Sequence, residues 1–343
     1  MSLPPGQYPT TPVDEWRDVD LAKFRGEIIP RDRPAVLRGL VKDWPAVAAG
    51  RASPRGLCDY IARFDLGRPV STAVGPPEIG GRLHYRDDLS GFNFERVNEP
   101  FRASLARILA SLDEPHPPAV YAGAVPNAEC FPGFDAENPM PLLGSDVVSR
   151  IWASTATTAP THFDMSDNIA CVAAGRRRFT FFPMDQLANL YVGPLEFTPA
   201  GQPTSLVKLG QADFDRFPRF RQALEAGQTT ELEAGDAVFI PNLWWHNVEA
   251  LEPFNILVNY WWYDAARGEA PPFAALFLSL LALGQLPANR REPWRKIFEH
   301  YVFKADGDPA AHIPPERRGL LGALTPQVTG PLRQWLTKAL QRP

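Results

Sequence analysis

Proline sets the first limit on what this chain can become. Of its 343 residues 37 are proline, roughly twice the usual share of about 5%. Each lacks a backbone N–H and, inside a helix, clashes with the preceding turn. That disfavours an all-helical bundle or a coiled coil and points to a turn-rich β fold with helical additions. Only 8 of the 37 fall between residues 145 and 262, so the excess marks the segments around a central region rather than that region itself. The length suits two domains, or one large domain with extensions. With 35 basic and 39 acidic residues the net charge is −4, which gives no electrostatic case for nucleic acid or an anionic membrane as partner.

Three cysteines (Cys58, Cys130, Cys171) are widely spaced and form no C-x-x-C pair. They suggest neither a disulfide framework nor a thiolate zinc site, and they fit a reducing cytoplasm. The N-terminus, MSLPPGQYPTTPVDEW, has no basic region followed by an apolar run and does not read as a signal peptide. The most apolar stretch, Phe273 to Leu286, has 14 residues, short of the roughly 20 needed to span a bilayer. It reads as a buried or interface helix.

Residues 1 to about 12 read as loosely held. A polar helical pattern from Asp14 leads into PAVLRGL (34–40), a strand that its proline suits to a sheet edge. Short helices are expected around Leu57 to Phe64 and Leu105 to Leu112. From about Ala119 the period changes. Runs at 119–123, 147–154, 161–164, 168–174, 177–183, 236–241, 246–251 and 254–264 are short, apolar or alternating, and bounded by Gly, Pro, Asp and Asn. Strands at that density indicate a sandwich or barrel. NIACVAA-Gly175-RRRFTFF reads as a hairpin with glycine at its turn. Helices return at 273–286, 293–303 and 331–340.

Two of six histidines stand in unusual settings. His162 begins His162-Phe163-Asp164 on an expected strand, where alternation sends His162 and Asp164 to one face and Phe163 to the other. Alone, the pair also reads as a surface histidine beside a solvated carboxylate. His246 follows GDAVFIPNLWWH, an apolar strand and two tryptophans, where an imidazole needs a partner. Two His and one carboxylate, with a close pair and a third ligand 84 residues downstream, match the facial triad of non-haem Fe(II) oxygenases. A satisfied core histidine is the competing reading for His246. Asn259 interrupts ILV-Asn-YWW, and Arg177 lies just past Gly175. An inward-facing arginine needs an anion, whereas the run Arg176-Arg177-Arg178 must also send at least one member to solvent.

In order along the chain, THFDMSDNIACVAAGRRRFTFFPMDQLANLY, FDRFPRF (214–220), GDAVFIPNLWWHNVEAL and NILVNYWW resemble the JmjC, cupin-like Fe(II)/2-oxoglutarate oxygenases. PAVLRGLVKDWPAV (34–47) and HYRDDLSGFNF (84–94) extend the resemblance over most of residues 30 to 264. Within that family the likeness is to bacterial cupin-like proteins and to the asparaginyl hydroxylase called factor inhibiting HIF. The resemblance implies a mainly β fold: a double-stranded β-helix, or jelly roll, with flanking N- and C-terminal helices. It divides the chain into an N-terminal scaffold (1–115), a catalytic core (116–268) and a C-terminal helical region (269–343).

The resemblance also implies that His162, Asp164 and His246 are the ligands of Fe(II), and that 2-oxoglutarate is the cosubstrate. It places Tyr121 and Arg177 at the distal carboxylate and Asn168 and Asn259 beside the metal site. This chain departs from the asparaginyl hydroxylase twice, with Arg177 in place of a lysine and Ala159 in place of a threonine. Thr158 or Thr161 is then the candidate to supply the lost hydroxyl. The implied reaction consumes O2 and yields succinate and CO2, with a peptide or small molecule hydroxylated; demethylation is a weaker alternative. A non-catalytic metal-binding module is the reading from another class. Tryptophans 244, 245, 261 and 262 are candidates for an apolar wall or for ordinary core. A homodimer through the C-terminal helices is expected.

Overall fold

The computed structural model describes residues 6–199, 201–263 and 270–341. The first five residues, the expected strand end at Asp264 and the expected boundary at 268–269 lie outside the described residues. The chain separates into two compact units, Met1–Asp264 and Ala265–Pro343.

The first unit is a jelly roll with fourteen strands among the described residues. Those of the N-terminal third are β1 (Thr11–Pro12), β2 (Asp14–Arg17), β3 (Ala35–Arg38), β4 (Pro69–Gly75), β5 (Glu95–Pro100) and β6 (Ala119–Pro126). The remainder are β7 (Ser149–Ser154), β8 (Thr158–His162), β9 (Asp167–Ala174), β10 (Arg176–Phe182), β11 (Gln228–Glu233), β12 (Ala237–Ile240), β13 (Trp245–Ala250) and β14 (Asn255–Trp262). One sheet has the order β1-β11-β10-β13-β8, the other β2-β3-β12-β9-β14-β7-β6-β4-β5. Pairing is antiparallel except where β1 meets β11 and β2 meets β3.

Period-2 alternation explains the near-continuous apolar runs of the large sheet, because both of its faces are covered. Ala170 and Val172 of β9, Val238 and Ile240 of β12 and Leu257 of β14 meet Phe179, Phe181 and Leu232 of the facing sheet. The alternate residues Ile169, Cys171, Phe239, Ile256 and Val258 join Leu57, Ile61, Phe101 and Ile108 from the helices laid on the outer face. One of these helices, Pro54–Ala62, starts with proline in its first turn and is capped by Ser53, whose hydroxyl accepts from the Gly56 N–H at 2.9 Å.

Several expectations change, beginning with Asp14–Arg17, a strand where a helical pattern was expected. β3 is not an edge strand, since β2 lies outside it in parallel; Pro34 merely precedes the paired residues. The N-terminus is tied down from Gln7, whose side chain bonds both backbone groups of Ala212, and Tyr8, whose hydroxyl donates to Glu249 at 2.8 Å. β11 (QTTELE) was not anticipated, because its outward positions are polar and only Thr230 and Leu232 are buried. Finally, β9 and β10 do not form a hairpin. They belong to different sheets, and the chain turns the corner between them at Gly175, which has φ +77°.

That corner requires glycine on two counts. A positive φ is strained for other residues, and a Cβ there would lie 2.3 Å from Asn255 Oδ1 and 2.6 Å from the Phe254 carbonyl oxygen.

The second unit contains helices Pro272–Leu283, Ala288–Tyr301 and Pro326–Leu340. The last two begin several residues before the expected prolines, so Pro293 and Pro331 sit inside them. No residue of Pro272–Leu283 is buried, and Leu281 is 74% exposed. No described helix is long and apolar enough to cross a membrane.

Gly175→Ala is expected to destabilise the first unit by more than about 1 kcal/mol. Urea unfolding followed by circular dichroism tests this; an unchanged midpoint would mean that the corner tolerates a side chain.

Candidate metal centre

β8 and β13 carry the two histidines into register. His162 pairs directly with His246 across the antiparallel ladder, and their rings lie 4.4 Å apart between centroids at 54°. Each imidazole is held by the backbone two residues upstream. His162 Nδ1 lies 2.8 Å from the Pro160 carbonyl oxygen, and His246 Nδ1 lies 3.0 Å from that of Trp244. With each Nδ1 turned to a carbonyl oxygen, Nε2 is the nitrogen each ring leaves for another partner.

The third group is Asp164. β8 ends at His162, so Asp164 lies just beyond the strand, yet the alternation persists: Phe163 turns the other way and packs edge-on against Trp245 at 4.8 Å. Asp164 Oδ2 stands 3.7 Å from His246 Nε2. Ligand atoms of His162, Asp164 and His246 all lie within 4.8 Å of one another, the one such His/Cys/Asp/Glu cluster among the described residues. Burial, reinforced by the neighbouring imidazole, pushes the His246 pKa down to about 4, so its ring is neutral at pH 7.

A directed chain of hydrogen bonds orients the carboxylate. Trp152 Nε1–H donates to Asn259 Oδ1 at 2.6 Å, Asn259 Nδ2 to Asn168 Oδ1 at 3.1 Å, and Asn168 Nδ2 to Asp164 Oδ2 at 3.5 Å. Trp261 Nε1–H reaches the same oxygen at 3.1 Å. Asn168 and Asn259, both singled out from the sequence, thus meet in this chain. The parts played by the two indole N–H groups were missed. Alternation along β14 was the available signal, since it places Trp261 on the same face as Asn259. Of the four tryptophans proposed as wall, Trp261 alone lines the cavity. Trp245 packs on Phe163, Trp262 on Phe24 and Phe239, and Trp244 donates to the Asp32 carbonyl oxygen.

Arg177 enters the same cavity from β10, together with Tyr121 from β6. The basic run splits by alternation. Arg176 pairs with Glu231 and Glu252 at 3.1 Å each, and Arg178 pairs with Glu231 at 2.7 Å and Glu249 at 3.4 Å. Arg177, between them, is only 3% exposed. Its Nε and Nη2 find no hydrogen-bond partner among the described residues. Burial lowers its pKa to about 10 and raises that of Tyr121 to about 12, so at neutral pH the guanidinium is charged and the phenol protonated.

Thr161 is buried but does not line the cavity, and neither does Thr158; Thr157 and Ala159 do. The register between β8 and β13 shifts between His246 and Val248. That irregularity separates the inward alternation of Thr157 and Ala159 from that of His162.

Comparison with known proteins places this geometry in a family. The profile of the "Cupin-like domain" matches residues 21–268. The human "tRNA wybutosine-synthesizing protein 5" is 30% identical over 332 residues, covering 86% of this chain and 96% of that protein. "Lysine-specific demethylase 8" of Xenopus tropicalis is 27% identical over 261 residues, 74% of this chain and 53% of that protein. "Lysine-specific demethylase JMJ31" of Arabidopsis thaliana is 34% identical over 139 residues, 40% of this chain and 25% of that protein. The chain therefore spans about half or less of these two demethylases and nearly all of the human relative. On the match to the domain profile, which covers most of its length, the chain belongs to the cupin-like domain family.

Proposed function

We propose that the chain is an Fe(II)- and 2-oxoglutarate-dependent oxygenase, a hydroxylase of a protein side chain or small molecule that releases succinate and CO2. The observation that carries this reading is Arg177. A buried guanidinium with two unpartnered N–H groups is costly unless an anion reaches it. Nε and Nη2 form one edge of the planar fork, which matches the two oxygens of a carboxylate. The remote carboxylate of 2-oxoglutarate fits that edge, with the protonated Tyr121 hydroxyl as a further donor.

The donor set fits Fe(II). Two imidazoles and one carboxylate, with no fourth His, Cys, Asp or Glu in the cluster among the described residues, leave coordination positions open. A structural zinc site would close with four protein ligands, which weighs against the non-catalytic module. Bound iron with 2-oxoglutarate supplies the activation of O2 and the oxidation of a substrate C–H bond. The chain's own residues bind and orient. Trp261 and Asn168 hold the Asp164 carboxylate, and Arg177 and Tyr121 anchor the cosubstrate's far end. Thr157 takes the position anticipated for Thr161, and the apolar walls exclude water.

For substrate, the resemblance to an asparaginyl hydroxylase supports a protein side chain. The near full-length relatives named for tRNA wybutosine synthesis add a modified nucleoside; a net charge of −4 gives no electrostatic support for a polynucleotide. Three unpaired, buried cysteines fit the cytoplasm. We further propose a homodimer through the C-terminal helices, because Phe277, Leu280 and Leu281 form an exposed apolar face on Pro272–Leu283 of the kind that marks an interface.

Anaerobically reconstituted wild-type protein should bind Fe(II) and consume 2-oxoglutarate on exposure to air; failure to bind either would refute the oxygenase reading. His162→Ala should weaken metal affinity by more than the roughly 10- to 100-fold typical of losing an outer partner, as read from Co(II) absorption. Arg177→Met should weaken 2-oxoglutarate binding by roughly 30-fold, the equivalent of about 2 kcal/mol of charge-assisted hydrogen bonding, with Arg177→Lys retaining part of it. Isothermal titration measures both, and unchanged affinity in Arg177→Met would remove Arg177 from the site. Light scattering of the full chain should give twice the single-chain mass, falling to one in Leu281→Arg; a monomeric wild type would sink the dimer.

A further inference from the structure

Beyond the metal ligands, Tyr121, Trp152 and Trp261 open into a chamber of about 330 Å³ whose outer wall includes Phe94 and Arg96. Its rings offer flat apolar surface. Its lining carries one acidic residue, Asp164, and one cationic residue, Arg96, among the described residues. Asp164 is already committed, facing the metal position and accepting from Trp261 and Asn168. Arg96, a solvent-exposed residue at the chamber's rim, makes no ion pair among the described residues. Its Nη2 donates to the Pro199 carbonyl oxygen at 2.6 Å and its Nη1 to Ser71 Oγ at 3.3 Å, both neutral acceptors. A second cation, Arg150, lies 4.7 Å over the ring of Trp261; it is attracted by Asp164 and Glu129 but makes no ion pair among the described salt bridges.

A methylated ammonium entering this chamber would give up water beside an unneutralised guanidinium, and the only carboxylate it met would be one turned toward a divalent ion. An oxyanion would instead neutralise Arg96 while its apolar body stacked on the rings. We propose that the chamber selects an organic anion, an apolar body bearing a carboxylate or phosphate that pairs with Arg96, and rejects methyl-ammonium side chains. Calling that anion the substrate rests on the oxygenase reading; the charge preference rests on Arg96 and on a divalent ion held at Asp164. It also separates this chain from relatives named as lysine-specific demethylases, despite shared sequence.

Trp152 and Trp261 line the chamber, so tryptophan fluorescence reports its occupancy. The full chain, with Mn(II) and 2-oxoglutarate added under argon, is titrated with 3-phenylpropanoate, phenethyl phosphate and 3-phenylpropylammonium, probes of similar apolar body and different charge. At least one anion should bind roughly tenfold or more tightly than the ammonium, and the tighter of the two identifies the preferred oxyanion. Arg96→Gln should erase the preference and Arg96→Lys retain most of it, with circular dichroism checking that both fold. Equal or tighter binding of the ammonium, no binding of any probe, or a preference untouched in Arg96→Gln would overturn the proposal. Uptake of 2-oxoglutarate is measured in the same samples before any probe is added. Its failure beside an intact anion preference would refute the oxygenase reading alone.

Discussion

The direct pairing of His162 with His246 across β8 and β13 is the constraint on which the rest of the site depends. In an antiparallel ladder a slip of one residue sends every side chain of a strand to the opposite face. Such a slip would leave one imidazole inside the roll and the other outside. Register is held on both sides of the pair. β13 is also paired to β10 from Phe182 opposite Trp245 to Arg177 opposite Ala250, and Trp245 is fully buried against Phe163. Packing of apolar side chains that turn away from the two histidines therefore helps to hold their register. The backbone carbonyls of Pro160 and Trp244 then set which nitrogen of each ring faces inward.

The carboxylate is positioned differently. Asp164 lies past the end of its strand, so ladder geometry alone does not orient it. The chain from Trp152 through Asn259 and Asn168 does so instead. An indole N–H can only donate, so Asn259 must accept with its oxygen and donate with its nitrogen, and the same polarity passes through Asn168 to Asp164. Each member makes the orientation of the next unambiguous. A buried network with every such link satisfied favours one arrangement of the site over its alternatives.

Much of this was legible in the sequence, for a physical reason. Polar residues inside apolar strands are costly, so His246, Asn259 and Arg177 stood out against runs such as AVFI and NILV, and period-2 alternation predicted that Phe163 would turn away from its neighbours. Local pattern failed where the outcome depended on distant partners. Gly175 marks a sharp change of direction, but a positive φ serves a hairpin and a passage between sheets equally well; Asn255 and Phe254, some 80 residues away, decide between them. Thr161 was misplaced because the irregularity opposite Val248 is a property of two strands and is not visible in either one. Trp261 looked like wall, since a tryptophan carries the same apolar signature whether or not its N–H has a carboxylate to find. β11 escaped because half of its positions face water.

The three consecutive arginines of β10 have a consequence for the protein as a material. Glu231, Glu249 and Glu252 neutralise the outer two, with Tyr8 helping to hold Glu249 in place, while the middle one carries its charge into the interior without a carboxylate of its own. Arg177 thus stands buried at the centre of the fold without an ion-pair partner among the described residues. Any anion that reaches Arg177 contributes to folding free energy as well as to chemistry, because it binds the native chain and has no equivalent site on the unfolded one. An anion bound at this position would act, in effect, as a missing side chain of the core.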